Sequence, residues 1–454
     1  MTDRVIANTL YDDSLMTSAE TSENSPIPSR PGEPSPIRHV VYVVKENRTF
    51  DQVLGDFQGA AGDPKLVVFG EETAPNHRKL AREFTLLDNF YTAGDVSADG
   101  QNWTFAALAN DFIEKLWPSY YGRRRGVYDF EGGEPAAIPP AGYLWTNARA
   151  ASLPVRNYGV WSASSGTAAA ATVKDPALAA DSSQGFAPFD LDTPEQARVD
   201  EFLRELSGFE AAGQMPRLML VRLPNDHTAG RAPGKPTPAA MMAEHDYALG
   251  RLVEAVSKSR FWPQTAIFIV EDDAQDGADH IDSHRAPAFV VSPYARRGFV
   301  DDTFYSTPSV LRTVELILGL RPMTQFDAAA PPLASAFTAE PNATPYEAVR
   351  PKQSFDETNP PGEGGQPRRV QAPPTQRIRR QAAAFSAQAT QPVTDLNAQL
   401  NQQLRSITRR KTRPRSAILI QEIESSDREA AVAGTEPRPE GCGSAKQVRV
   451  QPPG

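Results

Sequence analysis

The sequence predicts an α/β domain, a three-layer α/β/α arrangement whose central sheet is mostly parallel. Short runs of β-branched and aromatic residues alternate with segments of helical periodicity between about residues 38 and 335. This alternation is typical of a parallel sheet packed between helices. Two of the runs, 265–270 and 288–291, are apolar throughout, as expected for strands that are buried on both faces.

The predicted elements follow one another along the chain. We predict strands at 38–44, 155–161, 217–223, 265–270 and 288–292. We predict helices from Thr104 onward and at 194–212, 237–258 and 307–318. Residues 95–103 are expected to form a loop, with Asn102 or Thr104 as the cap of the helix that follows.

The composition divides the chain into three parts. Residues 1–37 are rich in Ser, Pro, Thr and Glu, and residues 341–454 are rich in Pro, Gln and Arg with few hydrophobic runs. Such compositions favour disorder. We therefore expect a disordered arm at 1–37, one folded domain at 38–340 and a disordered tail at 341–454.

Charge and cysteine content exclude several classes of function. The net charge of −9 makes a nucleic acid an unfavourable partner. The only cysteine, Cys442, excludes an internal disulfide framework and a cysteine-based zinc site. The sequence contains no run of 18 apolar residues, so no membrane span is expected. No apolar signal segment follows Met1. A cytoplasmic protein is the expectation from the chain as written, and the oligomeric state is left open.

Acidic and imidazole side chains follow three of the predicted strands. They are Glu46-Asn47, Asp226-His227, and Asp272-Asp273 with His280 and His284. In open α/β sheets, sites form beyond the carboxyl ends of the strands. Carboxylates that crowd together repel one another unless a cation or protons neutralise them, so the three groups together predict a metal site.

Each group also has a simpler interpretation. The run from Glu271 to His284 would serve as a solvated acidic loop. Asn225-Asp226-His227-Thr228 would serve as a turn or cap, and Glu46-Asn47-Arg48 as a salt-bridged turn. A single histidine is more often a hydrogen-bonded residue than a ligand. Only the joint occurrence of the groups favours the metal site.

Two motifs resemble those of a known family. They are Glu-Asn-Arg-Thr-Phe-Asp at 46–51 and Glu-Asp-Asp-Ala-Gln-Asp-Gly at 271–277. The chain is similar over about residues 37–330 to the phosphoesterase family, which contains phospholipase C and acid phosphatases of the alkaline phosphatase superfamily. The segments 223–228 and 286–294 resemble the branch that is often fused to an N-terminal β-propeller, and no propeller precedes the motifs here.

The resemblance implies an alkaline phosphatase-like fold and metal-assisted hydrolysis of a small-molecule or lipid phosphate ester. It implies one divalent ion at Glu46, Asn47, Asp272 and Asp273. The residues implied for a second ion, or for contacts to the phosphate, are Asp226, His227, His280 and His284. Oxygen ligands suit Mg²⁺, Mn²⁺ or Ca²⁺, whereas imidazoles favour Zn²⁺ or iron.

The nucleophile departs from the family pattern. Relatives place a Ser or Thr at the start of a helix, and aligning Gly100 and Trp103 with that pattern puts Asn102 at the position of the hydroxyl. The available hydroxyls are Thr104 and Ser97, and we rank Thr104 first. Direct attack by a metal-activated water needs neither of them, and a plain cap-and-turn is the simplest interpretation of the stretch.

The sequence is therefore compatible with three functions. The first is a metal-dependent hydrolase of phosphate monoesters or diesters. The second is a decayed phosphoesterase fold that acts as a binding or scaffold protein, favoured by the mismatch at the nucleophile and by the long tail. The third is hydrolysis of sulfate or phosphonate esters, since a fold does not determine a substrate.

Overall fold

The computed structural model describes residues 13–21, 25–122, 131, 133–164, 171–274 and 277–361. These residues lie in one compact unit, Met1–Gln366. Most of the predicted tail, 362–454, lies outside the described residues.

The strands of the described part are short. They are β1 (His39–Lys45), β2 (Thr85–Leu87), β3 (Phe90–Tyr91), β4 (Val155–Tyr158), β5 (Ser162–Ser164), β6 (Ala171–Val173), β7 (Leu218–Leu223), β8 (Thr265–Glu271), β9 (Ala288–Val291), β10 (Phe299–Asp301) and β11 (Tyr305–Ser306).

The helices vary more in length. They are α1 (Phe50–Leu54), α2 (Pro75–Glu83), α3 (Ser97–Ala106), α4 (Asp111–Tyr121), α5 (Leu144–Ala150), α6 (Pro176–Ala179), α7 (Glu195–Ala212), α8 (Pro238–Lys258), α9 (Thr307–Leu318) and α10 (Gln325–Ala329). Among the described helices, none is long and apolar enough to cross a membrane.

A seven-stranded sheet organises the described residues, in the order β10-β2-β9-β8-β1-β7-β4. The strands β8, β1, β7 and β4 pair in parallel, whereas β9 is antiparallel to both of its neighbours. The predicted mostly parallel sheet is confirmed. The two central strands β1 and β8 are buried at every position, which explains why both are almost wholly apolar up to their last residues.

Helices cover both faces of this sheet. On one face, the Tyr42 hydroxyl of β1 donates to the carbonyl oxygen of Thr104 in α3 at 3.3 Å. On the other face, Lys45 of the same strand contacts His77 in α2. Successive side chains of a strand alternate between faces, so the odd-numbered and even-numbered residues of β1 meet different helix layers. The three-layer architecture is therefore confirmed.

The packed domain extends beyond both predicted boundaries. Ile27 and Ile37 are buried in the core, although the composition places them in the disordered arm. Beyond residue 340, Tyr346 is also fully buried and its hydroxyl donates to the side-chain oxygen of Asn76 at 2.8 Å. The expectation of disorder was wrong for these segments because isolated apolar residues anchor polar stretches that composition alone describes as unfoldable.

The start of α3 also differs from the prediction. The helix begins at Ser97, inside the expected loop, and ends at Ala106. Asp99 explains this early start, because its carboxylate accepts from the backbone N–H groups of Val96 at 2.9 Å and Asp95 at 3.1 Å. A side chain in the first turn therefore replaces the usual cap residue, and Val96 itself carries no cap signal.

Candidate active site at the carboxyl end of the sheet

Three neighbouring parallel strands deliver side chains to one edge of the sheet. Glu46 and Asn47 follow β1, Asp272 and Asp273 follow β8, and Arg222 is the penultimate residue of β7. The strands β8, β1 and β7 are adjacent in the sheet, so their carboxyl ends open onto a common cleft. All five side chains are almost completely buried.

Asn47, Asp273 and Ser97 form a connected group in this cleft. The Asn47 side-chain amide donates to Asp273 Oδ1 at 2.7 Å and lies 3.4 Å from Ser97 Oγ. The Ser97 hydroxyl in turn donates to Asp273 Oδ2 at 2.9 Å. The hydroxyl at the first residue of α3 is therefore held against a carboxylate.

Glu46 is bound by a buried arginine. Arg222 donates to Glu46 Oε2 from Nε at 3.1 Å and from Nη2 at 2.9 Å. The same guanidinium also contacts Glu131 at 3.1 Å. Burial alone would lower the pKa of Arg222, but Glu131 and Glu46 outweigh it and raise that pKa. Arg222 therefore stays charged and fixes both carboxylates.

Asp272 is held from the side of α3. The Gln101 amide donates to Asp272 Oδ2 at 2.9 Å, and the Asp273 backbone N–H donates to Asp272 Oδ1 at 2.9 Å. The helix reaches this close to the strand end because residue 100 is a glycine. A Cβ atom at Gly100 would lie 2.5 Å from the Asp272 carbonyl oxygen.

The cleft has more negative charge than its own cation neutralises. Burial, together with the neighbouring Asp273 and Glu46, raises the pKa of Asp272 well above its usual range. Burial, opposed by Arg222, also raises the pKa of Glu46. Among the described residues, Asn47 Oδ1 is buried without a hydrogen-bond partner. Three carboxylates and a free amide oxygen are a donor set that fits a hard divalent cation.

A cavity of about 390 Å³ opens beside these residues. Its walls include Glu46, Ser97, Arg222 and His227, and aromatic rings from Tyr120, Tyr121 and Phe189. The centre of the Phe189 ring lies 5.2 Å from the Arg222 guanidinium carbon. The cavity thus joins a charged end, where Ser97 lies, to an aromatic wall.

The structure corrects the ranking of the two hydroxyls. Thr104 is fully buried, and its hydroxyl donates to the Gly100 carbonyl oxygen within α3 at 2.7 Å. Asn102 is also buried, and its amide donates to the Ala98 carbonyl oxygen at 3.0 Å. Neither side chain lines the cavity, because the helix begins at Ser97 and turns both of them toward the core. Ser97, ranked second from the sequence, is the hydroxyl in the cleft.

Asp226 lies below the cleft instead of in it. It is fully buried, its Oδ2 lies 3.4 Å from Lys45 Nζ, and its Oδ1 accepts from the Glu46 backbone N–H at 2.9 Å. Burial would raise the pKa of Asp226, but His245 and Lys45 outweigh it and lower that pKa. The structure therefore separates Asp226 from its neighbour His227, which lines the cavity.

His280 and His284 are bound by local carboxylates outside the cavity. His280 Nδ1 lies 2.6 Å from Asp51 Oδ2. His284 contacts Asp282 at 2.8 Å and Asp95 at 3.0 Å. Asp51, Asp279 and His280 are close enough together to share a metal ion. Among the described residues, neither histidine forms a metal-sized group with Asp226, so the structure does not bring together the four residues predicted for a second ion or for contacts to the phosphate.

The sequence prediction missed Arg222, Glu131 and Gln101. A signal was available for Arg222, because a charged residue within an otherwise apolar buried strand requires a buried partner. Gln101 lies four residues after Ser97 and so on the same face of a helix, but this signal depends on the correct helix start. Glu131 lies in an irregular segment, where we find no sequence signal.

A protein-family model matches part of this chain. The model of the Phosphoesterase family matches residues 237–321. This segment runs from α8 to α9 and contains Asp272 and Asp273. The match confirms the predicted resemblance to this family over these residues, and it supports the predicted class, a hydrolase that acts on ester bonds. The propeller-fused branch stays a prediction, and no curated protein matches the chain.

Solved structures with a similar fold are distant in sequence. An alkaline phosphatase superfamily protein from Vibrio parahaemolyticus is 14% identical, with coverage of 70% of this chain and 78% of that chain and a TM-score of 0.44. The phosphonate monoester hydrolase of Agrobacterium radiobacter is 14% identical, with coverage of 63% and 74% and a TM-score of 0.41. Human ectonucleotide pyrophosphatase/phosphodiesterase 5 is 11% identical, with coverage of 63% and 96% and a TM-score of 0.40.

Proposed function

We propose that the cleft hydrolyses a small-molecule phosphate ester, with Ser97 as the nucleophile and with a divalent cation held by Glu46, Asn47, Asp272 and Asp273. One observation carries the proposal: a serine hydroxyl at a helix start donates to a carboxylate within a cluster of three buried carboxylates and an unpaired amide oxygen. Serine is activated as a nucleophile when an adjacent group accepts its proton.

The reaction proceeds in two steps on the chain's own residues. Ser97 Oγ attacks phosphorus, the ester P–O bond breaks, and the leaving oxygen takes the electron pair of that bond and a proton from solvent to become the alcohol. Asp273 Oδ2 accepts the hydroxyl proton, and the Asn47 amide holds Asp273 in place from its other oxygen. Water then attacks phosphorus and loses a proton to solvent, the bond between phosphorus and Ser97 Oγ breaks, and Asp273 returns its proton to Oγ as phosphate leaves.

The remaining residues of the cleft would position the substrate and stabilise the charge of its phosphate. Arg222 fixes Glu46 and supplies a positive charge at the cavity wall, where it would attract the phosphate. When bound, the divalent cation would neutralise the negative charge of the transferring phosphoryl group. The rings of Tyr120, Tyr121 and Phe189 offer apolar contact to an organic leaving group.

Elemental analysis of the purified protein, combined with hydrolysis assays, tests the proposal. The substrates are p-nitrophenyl phosphate, bis-p-nitrophenyl phosphate and the matching aryl sulfate and phosphonate, each with Mg²⁺, Mn²⁺, Ca²⁺ or Zn²⁺. We expect turnover of a phosphate ester that EDTA abolishes. Bound metal without turnover of any ester would instead support the scaffold function, and faster turnover of the sulfate or phosphonate would reassign the substrate.

Acid quenching during turnover tests the nucleophile directly. We expect mass spectrometry to find phosphate on the peptide that contains Ser97. Turnover with no phosphorylated peptide at any quench time would contradict the covalent step and favour direct attack by water.

A further inference from the structure

A fourth carboxylate lies in the wall of the cavity, in addition to the three that we assign to the proposed cation. It belongs to Glu131, which lines the same cavity as Ser97, Glu46 and Arg222. Glu131 is almost fully buried, although it lies outside the helices and strands of the described part. Burying a carboxylate is costly unless a partner compensates its charge, so its position in this wall requires an explanation.

Glu131 is paired with one side of the Arg222 guanidinium. Nη1 of Arg222 donates to Glu131 Oε2 at 3.1 Å, and Nη2 donates to Glu131 Oε1 at 3.3 Å. Nε and Nη2 donate to Glu46 Oε2 at 3.1 and 2.9 Å. These contacts use all but one of the N–H groups of the guanidinium. Arg222 therefore has a single N–H group left for a phosphate, whereas the strong pairs of arginine with phosphate are bidentate.

The charges around the cavity are not balanced once Glu131 is counted. The proposed divalent cation and Arg222 together carry as much positive charge as the three carboxylates of the cation site carry negative charge. Glu131 adds one more negative charge to the wall. Among the described residues that line the cavity, Arg222 is the one lysine or arginine. With His227 in its neutral form, a substrate therefore meets a wall that is negative overall.

Phosphate monoesters and diesters respond differently to such a wall. A monoester loses its second proton with a pKa of about 6, so it carries two negative charges at pH 8, whereas a diester carries one. The Coulomb energy is proportional to the charge of the ligand, so Glu131 repels the monoester about twice as strongly. A diester also has a second organic group, and the cavity presents aromatic rings from two segments, Tyr120 and Tyr121 of α4 and Phe189.

We propose that Glu131 makes the cleft selective for phosphodiesters, which carry one negative charge, over phosphomonoesters, which carry two. The inference rests on the proposed function, because it names the substrate class of the same cleft. Glu131 acts in two ways: its carboxylate repels the second charge of a monoester, and its hydrogen bonds withdraw Arg222 N–H groups from the phosphate. It is thereby a residue that determines specificity.

Glu131→Gln tests the proposal, because the amide has nearly the shape of the carboxylate but no charge. The substrates are p-nitrophenyl phosphate and methyl p-nitrophenyl phosphate, which share a leaving group and differ in charge. At pH 8 we expect the ratio of kcat/KM for the diester to kcat/KM for the monoester to fall about tenfold in Glu131→Gln. The intrinsic reactivities of the two esters cancel when this ratio is compared between two proteins.

Asp200→Asn is the matched control, because it removes one carboxylate charge from an exposed position on α7. Its ratio of diester to monoester kcat/KM should equal that of the unmodified protein. An unchanged ratio in Glu131→Gln would overturn the proposal. A fall of the same size in Asp200→Asn would also overturn it, because net charge and not the position of Glu131 would then determine the preference.

Calorimetry distinguishes failure of this proposal from failure of the proposed function. Ser97→Ala lacks the proposed nucleophile, so the Kd of each ester is measured in MnCl₂ on this variant. Adding Glu131→Gln should lower the Kd of the monoester about tenfold more than the Kd of the diester. If the unmodified protein hydrolyses neither ester, the proposed function fails, but this difference in Kd would still support charge selection by Glu131. Equal changes in the two Kd values would overturn the selection even where hydrolysis occurs.

Ser97→Ala alone keeps the test valid if Glu131→Gln does not fold. Circular dichroism and thermal unfolding show which variants are folded. In Ser97→Ala the diester should bind more tightly than the monoester at pH 8, because Glu131 is still present. Tighter binding of the monoester to this variant would overturn the proposal without any change at position 131.

Discussion

The cleft lies above a buried centre that is formed by Lys45, Glu271 and Asp226. Both begin at the ends of β1 and β8, but their negative charges are neutralised differently. Lys45 and Glu271 point into the buried centre, whereas the next residues, Glu46 and Asp272, point into the cleft. The buried centre contains its own cation among its carboxylates. The cleft leaves Asp272 with a pKa well above its usual range, because burial and Asp273 disfavour its charge. The difference separates a site that is complete as folded from one that is built to receive a ligand.

The largest expected effect comes from removing the carboxylates of the cleft. Asp273→Ala or Asp272→Ala should abolish metal-dependent hydrolysis, a loss of at least about 10³-fold, because each removes a ligand of the proposed cation. Asp273→Ala also removes the carboxylate that accepts from Ser97. Circular dichroism and thermal unfolding should show that each variant remains folded. Steady-state assays with p-nitrophenyl phosphate measure the loss.

Asp200→Ala is the matched control for this change. Asp200 is exposed on α7 and pairs with Arg251 at 2.7 Å, and exposed pairs contribute little. Its activity should equal that of the unmodified protein. Activity that survives in both Asp272→Ala and Asp273→Ala would show that the site is wrongly assigned.

The two hydroxyls of α3 give the next largest difference. Ser97→Ala should reduce kcat by about 10³-fold or more, because the nucleophile is lost. Thr104→Ala should mainly reduce stability, since its hydroxyl bonds only within the helix. Measured kcat values for the two variants decide between them. A larger loss of activity in Thr104→Ala would restore the ranking from the sequence and contradict the structure.

Much of this comparison was visible in the sequence, because strand ends define the cleft. The apolar runs before Glu46 and Asp272 predicted β1 and β8, and parallel strands bring their ends together. The structure groups Glu46, Asn47, Asp272 and Asp273 as that reasoning expected. Their role as metal ligands stays a prediction.

The sequence failed where a contact depends on one local hydrogen bond. The start of α3 was missed because Asp99 reaches back to the backbone of Val96, so the helix begins at Ser97, two residues before the carboxylate that caps it. His280 was misplaced because Asp51 binds it from α1. Only the alternation of side chains along β1 shows that Lys45 faces away from Glu46.

A smaller effect is expected where α3 approaches the strand end. Gly100→Ala places a Cβ atom 2.5 Å from the Asp272 carbonyl oxygen, so the helix and Ser97 must move away. Displacement of about 1 Å costs about 10²-fold in rate, and kcat should fall by that amount. Gly208→Ala in α7 is the control, because its added Cβ meets nothing within 4 Å, and it should leave kcat unchanged. Equal kcat in both variants would show that the approach of α3 is not needed.

The smallest expected effect is on the pH dependence of stability, and it arises from the buried side chains of Asp246 and His77. Burial raises the pKa of Asp246 to about 6, so between about pH 6 and its ordinary value near 4 the folded state holds a proton that the unfolded state releases. Acidification in this window therefore adds stability through Asp246. Burial and Lys45 lower the pKa of His77 well below its usual 6.5, so below pH 6.5 the unfolded state gains a proton that the folded state refuses. Acidification removes stability through His77.

Asp246→Asn separates these opposing contributions. Each group contributes at most about 1.4 kcal/mol per pH unit, so the two nearly cancel between pH 6 and pH 4 while both are present. In the variant only the loss through His77 remains. The free energy of unfolding of Asp246→Asn, relative to the unmodified protein, should fall by up to about 1.4 kcal/mol for each unit of pH below 6. Urea unfolding in EDTA at pH 7, 6 and 5 measures this, with Asp200→Asn as the exposed control. Parallel curves for the two Asn variants would mean that Asp246 is already ionised in this range, and that the layer behind Lys45 carries its negative charge permanently.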